Sequence, residues 1–188
     1  IQPMLKPLSK DFRGLISISG PTKSGKSQLS EYLIKDQNTI TYIATSKPRK
    51  NDQEWRKRID AHRNRRPDDW KLIEYPPDIC ENIYAAGPNE SILIDSLGGL
   101  VEQRIMENEE LWEQFQYKFI NCLNNNCFII IVVIEEIGWG VVPSTEIGHL
   151  FRERHSKLSK LVSHHSKQKW LAVNGMAIDL EKIGNQIP

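Results

Sequence analysis

The chain has 188 residues, 39% hydrophobic and 26% charged, and its 25 Lys plus Arg against 24 Asp plus Glu leave a formal net charge of +1. These proportions fit one globular domain and exclude disordered, collagen-like and coiled-coil chains, and the near-neutral balance gives no general attraction to nucleic acid or to an anionic membrane. The longest apolar run, Cys127 to Ile134, is eight residues, far below the roughly 20 that span a bilayer, and the start lacks the apolar centre of a secretory signal, so a soluble cytoplasmic protein is expected.

In chain order, residues 1–13, with Pro3 and Pro7, read as an adaptable extension, and residues 14–188 as one domain. A strand over Leu15–Ser19 leads into Gly20-Pro21-Thr22-Lys23-Ser24-Gly25-Lys26-Ser27 and a helix over Lys26–Lys35. Next come a strand (Thr39–Thr45), a basic helix (Asp52–Arg65), a strand (Lys71–Tyr75), a helix (Asp78–Ala85) and a strand (Ser91–Asp95). One long helix over Glu102–Asn124, a strand over Cys127–Ile134, a helix over Pro143–His165, a strand over Lys169–Val173 and an antiparallel return over Met176–Glu181 complete the reading. Several strands are apolar throughout, as when helices cover both faces of a parallel sheet. The fold class is therefore α/β, a three-layer domain with a mostly parallel sheet of about six or seven strands.

In the Pro143–His165 helix, Ile147, Leu150, Phe151, Leu158, Leu161 and Val162 recur at spacings of three, four or seven and predict one stripe facing the sheet. His155, His164 and His165 lie among charges and read as its solvated face. Cys80, Cys122 and Cys127 are odd in number and lack CxxC spacing, so reduced core thiols are expected rather than a metal site.

The segment Gly20 to Ser27 is a full match to GxxxxGK[ST] in the required place between a strand and a helix. Gly20 and Gly25 let backbone N–H groups converge on a phosphate at a helix N-terminus, where the dipole also favours negative charge. Lys26 adds a positive charge, and Ser27 supplies a hydroxyl ligand for Mg²⁺. A second acidic ligand is expected at the end of another strand, where Asp95 stands. Glu135 and Glu136 also end a strand, before Gly138-Trp139-Gly140; one of them facing the acceptor and both serving as capping or solvated acids are open readings.

From Arg49 to Arg66 eight Lys or Arg stand against three Asp or Glu, with one histidine at 62. On a helix, Arg58 and Arg66 lie four residues either side of His62, a face suited to a triphosphate, and a neutral imidazole can attack phosphorus. By spacing alone the lone histidine in this basic helix reads as a solvated residue rather than a nucleophile, and too few aromatic side chains accompany it for an RNA surface.

The phosphate loop is joined by Tyr42-Ile43-Ala44-Thr45-Ser46, by Arg58-Ile59, His62, Arg66-Pro67 and Trp70, by Asp95-Ser96-Leu97, and by Glu136-Ile137-Gly138-Trp139-Gly140-Val141-Val142-Pro143 with Phe151-Arg152-Glu153. This ordered set resembles the bifunctional adenosylcobinamide kinase / adenosylcobinamide-phosphate guanylyltransferase family over about residues 14–180. The resemblance implies a recombinase-type P-loop fold, a homotrimer with sites between subunits, and ATP, GTP and Mg²⁺ as cofactors. It implies phosphorylation of a corrinoid, adenosylcobinamide, followed by transfer of GMP from GTP through a guanylylated His62. Lys26, Ser27 and Asp95 match the positions that handle triphosphate and Mg²⁺. Ala44, Thr45, Ser46, Arg63, Asn64, Arg65, Arg66 and Glu74 match those near the guanylyl group.

The chain departs from the family pattern at Glu135-Glu136, where Asn-Glu is usual, at Ser156, Ser159 and Lys160, at Gly98-Gly99-Leu100 and at Gln103, regions expected to meet the corrinoid or a neighbouring subunit. Two other functions stay open at this point. One is a catalytically degenerate nucleotide sensor acting through a protein partner, the other a small-metabolite kinase that uses only the phosphate loop.

Overall fold

In the computed structural model, which describes residues 5–48, 52, 53, 57, 60 and 64–187, seven strands join in one sheet. They are β1 (Gly14–Gly20), β2 (Thr39–Ala44), β3 (Lys71–Glu74), β4 (Glu90–Asp95), β5 (Ile129–Glu135), β6 (Gln168–Val173) and β7 (Met176–Asp179). Their order is β3-β2-β4-β5-β1-β6-β7, parallel throughout except for β7, which returns antiparallel on β6. The helices are α1 (Lys26–Ile34), α2 (Ile79–Tyr84), α3 (Leu97–Gln103), α4 (Glu109–Asn124), α5 (Glu146–His165) and α6 (Leu180–Ile183). Between residues 52 and 65, the described residues Gln53, Lys57, Asp60, Asn64 and Arg65 are helical.

The strands are apolar on both faces because each face has its own core. Ile92 and Ile94 of β4, with Ile130, Val132 and Ile134 of β5, pack with Ile79, Leu100, Trp112, Phe119, Leu158 and Val162 from α2 to α5. The alternate residues Leu93, Ile129, Ile131 and Val133 pack with Leu29, Leu33 and Ile34 of α1. The parallel α/β reading therefore stands, with seven strands. No helix among the described residues is long and apolar enough to cross a membrane.

The structure corrects several local expectations. The helix expected over residues 102–124 is two helices. The chain turns out of α3 at Arg104, and Asn108 starts α4 by accepting from the Leu111 N–H at 2.9 Å. The intervening loop is held by Arg154, whose guanidinium donates to the carbonyls of Arg104 (3.0 Å), Ile105 (3.3 Å) and Glu107 (2.8 Å) and lies 5.0 Å from the Trp112 ring centroid. The helix expected from Pro143 begins at Glu146, because Thr145 Oγ1 accepts from the Gly148 N–H and fixes the cap there.

His155 lies in the core rather than on a solvated face, at 1% exposure, whereas two residues of the expected apolar stripe, Ile147 and Leu161, are exposed. Cys80 and Cys122 are buried thiols, but Cys127 is exposed because β5 starts two residues after it. Residues 5–12 lie along α1, where the Leu8 N–H donates to Leu33 O (2.8 Å), Tyr32 Oη donates to Leu5 O (3.0 Å), and Leu8 is buried.

Candidate active site at the carboxyl edge of the sheet

Parallel strands deliver their C-terminal ends to one edge, and the phosphate loop, Asp95 and Glu135 all stand there. Gly20 ends β1 at φ 157°, and a Cβ there would lie 2.1 Å from the Ala172 carbonyl oxygen of β6. No side chain fits. Lys23 (φ 59°) and Gly25 (φ 99°) carry the left-handed turns that wrap the loop into α1. Lys26 is buried, and its ammonium donates to the Pro21 carbonyl at 2.6 Å, so the cation is folded over the loop that it would serve. Ser24 Oγ is buried with no hydrogen-bond partner among the described residues. An unsatisfied hydroxyl in a curl of backbone amides at a helix N-terminus fits a phosphate oxygen.

Asp95, at the end of β4, faces the start of α1. Its Oδ2 accepts from Ser27 Oγ at 3.1 Å and from Tyr42 Oη at 2.5 Å. Burial first, and then the Asp95 charge, push the Tyr42 hydroxyl well above its ordinary pKa, so it remains a donor at neutral pH. The adjacent hydroxyl and carboxylate oxygens suit a hard divalent cation. The Arg66 guanidinium covers the outer face of Tyr42, 3.9 Å from the ring centroid, and Arg65 pairs with Glu31 of α1 at 3.2 Å. Burial raises the Glu31 carboxyl pKa, and the Arg65 hydrogen bond and charge oppose that rise. Two arginines thus tie the end of the basic segment to the helix after the loop and to Tyr42, the hydroxyl donor to Asp95.

A second cluster is one that the residues alone did not define. The Glu135 carboxylate accepts from Ser96 Oγ, from the Gly98 N–H (3.0 Å) and from His155 Nε2 (3.3 Å). Burial works to raise the Glu135 carboxyl, but hydrogen bonds from His155 and Ser96 outweigh it and hold it below the ordinary carboxylate range. Thr45 Oγ1 donates to Ser96 O (2.6 Å) and accepts from the Ser96 N–H (2.8 Å), and Gln103 Nε2 donates to Thr45 O (2.8 Å). The departures from the family pattern at Gly98, Gly99, Gln103 and Glu135 thus pack around this edge, while Ser156 and Lys160 are exposed on α5.

Of the residues singled out from sequence, Gly20 to Ser27, Ala44, Thr45, Arg66 and Asp95 converge on this edge. Ser46, Asn64 and Glu74 are exposed beside it, Glu74 at the end of β3. Arg58, His62 and Arg63 lie outside the described residues. Tyr42 and Glu31 were not anticipated as site residues; an aromatic or acid at a buried helix or strand position carries no sequence mark of its partner.

A family profile described as cobinamide kinase / cobinamide phosphate guanyltransferase matches residues 16–180. The bifunctional adenosylcobalamin biosynthesis protein CobU of Escherichia coli (strain K12) is 27% identical over 182 residues, spanning 89% of this chain and 99% of that protein. The bifunctional adenosylcobalamin biosynthesis protein CobP of Pseudomonas aeruginosa is 28% identical over 167 residues, spanning 87% of this chain and 95% of that protein. A solved structure of a Pyrococcus horikoshii OT3 protein superposes with a TM-score of 0.53 at 9% identity over 95% of this chain and 94% of that one, a likeness of fold alone.

Proposed function

This chain belongs to the cobinamide kinase / cobinamide phosphate guanyltransferase family, and from that premise we propose that it phosphorylates the aminopropanol hydroxyl of adenosylcobinamide and then transfers GMP from GTP to the new phosphate. The observation that carries the kinase half is the Ser27–Asp95 contact beside the Gly20 to Ser27 loop. The loop amides and Lys26 bind and orient the β- and γ-phosphates, and Ser24 Oγ gains the partner that it lacks. Ser27 and Asp95 are the residues that would hold Mg²⁺, which when bound neutralises charge on the phosphates. Tyr42, kept protonated by its surroundings, orients Asp95 by donating to it.

In the second half, a neutral His62 nitrogen forms a bond to the α-phosphorus of GTP as the bond to pyrophosphate breaks. The acceptor phosphate then displaces the histidine and takes the GMP. The family match and the anchoring of Arg65 and Arg66 beside Asp95 support this role for the segment that carries His62. Ala44, Thr45, Ser46, Arg63, Asn64 and Glu74 are assigned to the guanylyl group on the same ground. ATP or GTP as phosphoryl donor, a homotrimeric assembly and a cytoplasmic setting complete the reading.

The test is exposure to α-labelled GTP with Mg²⁺. Wild type is expected to take up acid-labile label, and His62→Ala none. A wild-type protein that binds GTP yet stays unlabelled refutes the guanylyl step.

A further inference from the structure

We propose that Glu135 takes the proton of the acceptor hydroxyl during phosphoryl transfer, and that His155 is the positioning residue that holds its carboxylate for this. The inference rests on the kinase reading above and gives a role to two residues that it leaves unused.

The register places Glu135 beside the chemistry. It is the last residue of β5, opposite Gly20 where β1 enters the phosphate loop. On the other side β5 pairs with β4, which ends at Asp95. The Glu136 N–H donates to Gly20 O at 2.9 Å, which ties the chain leaving β5 to the loop. The carboxylate is thus on the same edge as the phosphates and the Ser27–Asp95 pair.

Its hydrogen bonds are unequal. Oε2 accepts from Gly98 N–H and from His155, whereas the one side-chain donor to Oε1 among the described residues is Ser96. Oε1 keeps a lone pair for a further hydroxyl. The Glu135 side chain is 34% exposed and the His155 side chain 1%, so the glutamate keeps a partly open face that the imidazole lacks. A histidine and a carboxylate taken into the protein together are a poor source of stability, because desolvation offsets their attraction. A fixed orientation is what such a pair supplies.

An open groove lies beside this cluster. The Phe151 ring lies 5.7 Å from the His155 ring. Phe151 also lines an open groove of about 500 Å³ with Ile105, Ile137, Val141 and Ile147, and Glu102 and Arg152 add charge. A large, partly apolar acceptor with polar arms fits that lining, and Ile137, two residues beyond Glu135 in the chain, brings the groove to the end of β5.

In the step, the acceptor O–H bond breaks as its oxygen bonds to the γ-phosphorus. The bond from that phosphorus to the β,γ-bridging oxygen breaks, and its electron pair leaves with the nucleoside diphosphate. The proton passes to Glu135 Oε1 and then to water.

The experiment measures two rates on the full chain: phosphorylation of adenosylcobinamide by Mg-ATP or Mg-GTP, and labelling by α-labelled GTP. Glu135→Gln keeps the side chain's size and removes its basicity. It is expected to lower kcat for phosphorylation by about 10²- to 10⁴-fold, with little change in nucleotide KM and with the ratio of phosphorylation to labelling reduced alike. His155→Gln should give a smaller loss of the same kind, in kcat rather than KM. A Glu135→Gln protein with kcat within about threefold of wild type overturns the proposal. If that variant does not fold, Glu135→Asp and His155→Gln decide it, and unchanged kcat in both overturns it. Wild type that takes the label but phosphorylates nothing refutes the kinase reading and this assignment with it, whereas active wild type with an unaffected Glu135→Gln refutes this assignment alone.

Discussion

Gly99 is the position where the site's close packing can be measured most directly, by Gly99→Ala. A Cβ built there would lie 2.2 Å from Thr45 Oγ1, 2.7 Å from the Thr45 carbonyl carbon and 2.8 Å from the Ser46 amide nitrogen. Two of those atoms are backbone. The third is fixed, because Thr45 is fully buried and Oγ1 both donates to and accepts from Ser96. Relief requires either turning Thr45 away, which gives up two buried hydrogen bonds of about 1 kcal/mol each, or shifting α3 together with its buried Leu97, Leu100 and Val101 in the core, a strain of about 1 to 3 kcal/mol. The cheaper route sets the cost, so we expect a loss of about 2 kcal/mol. For a domain of this length that lowers Tm by roughly 4 to 8 °C. Gly87→Ala is the control, since nothing lies within 4 Å of a Cβ there, and it should stay within about 2 °C of wild type. Thermal unfolding followed by circular dichroism, without nucleotide, makes the comparison. A Gly99→Ala protein that melts with the Gly87→Ala control would refute the claim that α3 is held in contact with the end of β2.

Two further outcomes are expected. Lys26→Ala removes a charge-assisted phosphate contact worth roughly 1.5 to 3 kcal/mol, so Mg-GTP should bind about 10- to 150-fold more weakly. The rise in Tm at subsaturating Mg-GTP should shrink with it, and a wild-type rise in the mutant contradicts the loop's assignment. The folded-state pKa of Glu135 is depressed by its donors, so its stabilisation is present above the ordinary glutamate value of about 4.3 and is lost as pH falls through the lower folded value. The stability gap between wild type and Glu135→Gln, measured by urea unfolding, should therefore be wide at neutral pH and narrow in acid; a gap that does not change with pH overturns that sign.

The sheet and the phosphate loop were legible because each rests on a local pattern. Apolar runs such as Ile129 to Ile134 have only one use in a domain of this size, and Gly20 to Ser27 is specific by spacing. Asp95 was legible as an acid at the end of such a run. What failed to show was polar burial. Phe151, His155, Leu158 and Val162 follow one another at spacings of four, three and four, the face of α5 that turns inward, but a helical stripe read from apolar letters alone leaves the histidine outside it. Arg154 was hidden for the same reason. Its three carbonyl partners belong to a loop some 50 residues earlier in the chain, and that loop looked like helix because Gln103 to Glu110 contains neither Gly nor Pro. The signal at Asn108 was present as a cap residue followed by Glu109 and Glu110, and it outweighed the helical propensity around it.

The two ends of the sheet bear on whether a strand of another molecule can add to it. β3 and β7 are the outermost strands, and each is only four residues long. On β3, Lys71 and Glu74 are exposed; beside β7 the chain turns straight into α6, where Lys182 pairs with Asp179 and Glu181 with Lys169. A strand from another molecule adding to either border would find few free backbone groups and would have to settle among charges. The long apolar strands that are most prone to intermolecular pairing, β4 and β5, are enclosed between neighbours on both sides. Extension of the sheet by another molecule is therefore disfavoured at both borders, and pairing through β4 or β5 requires the strands outside them to detach first.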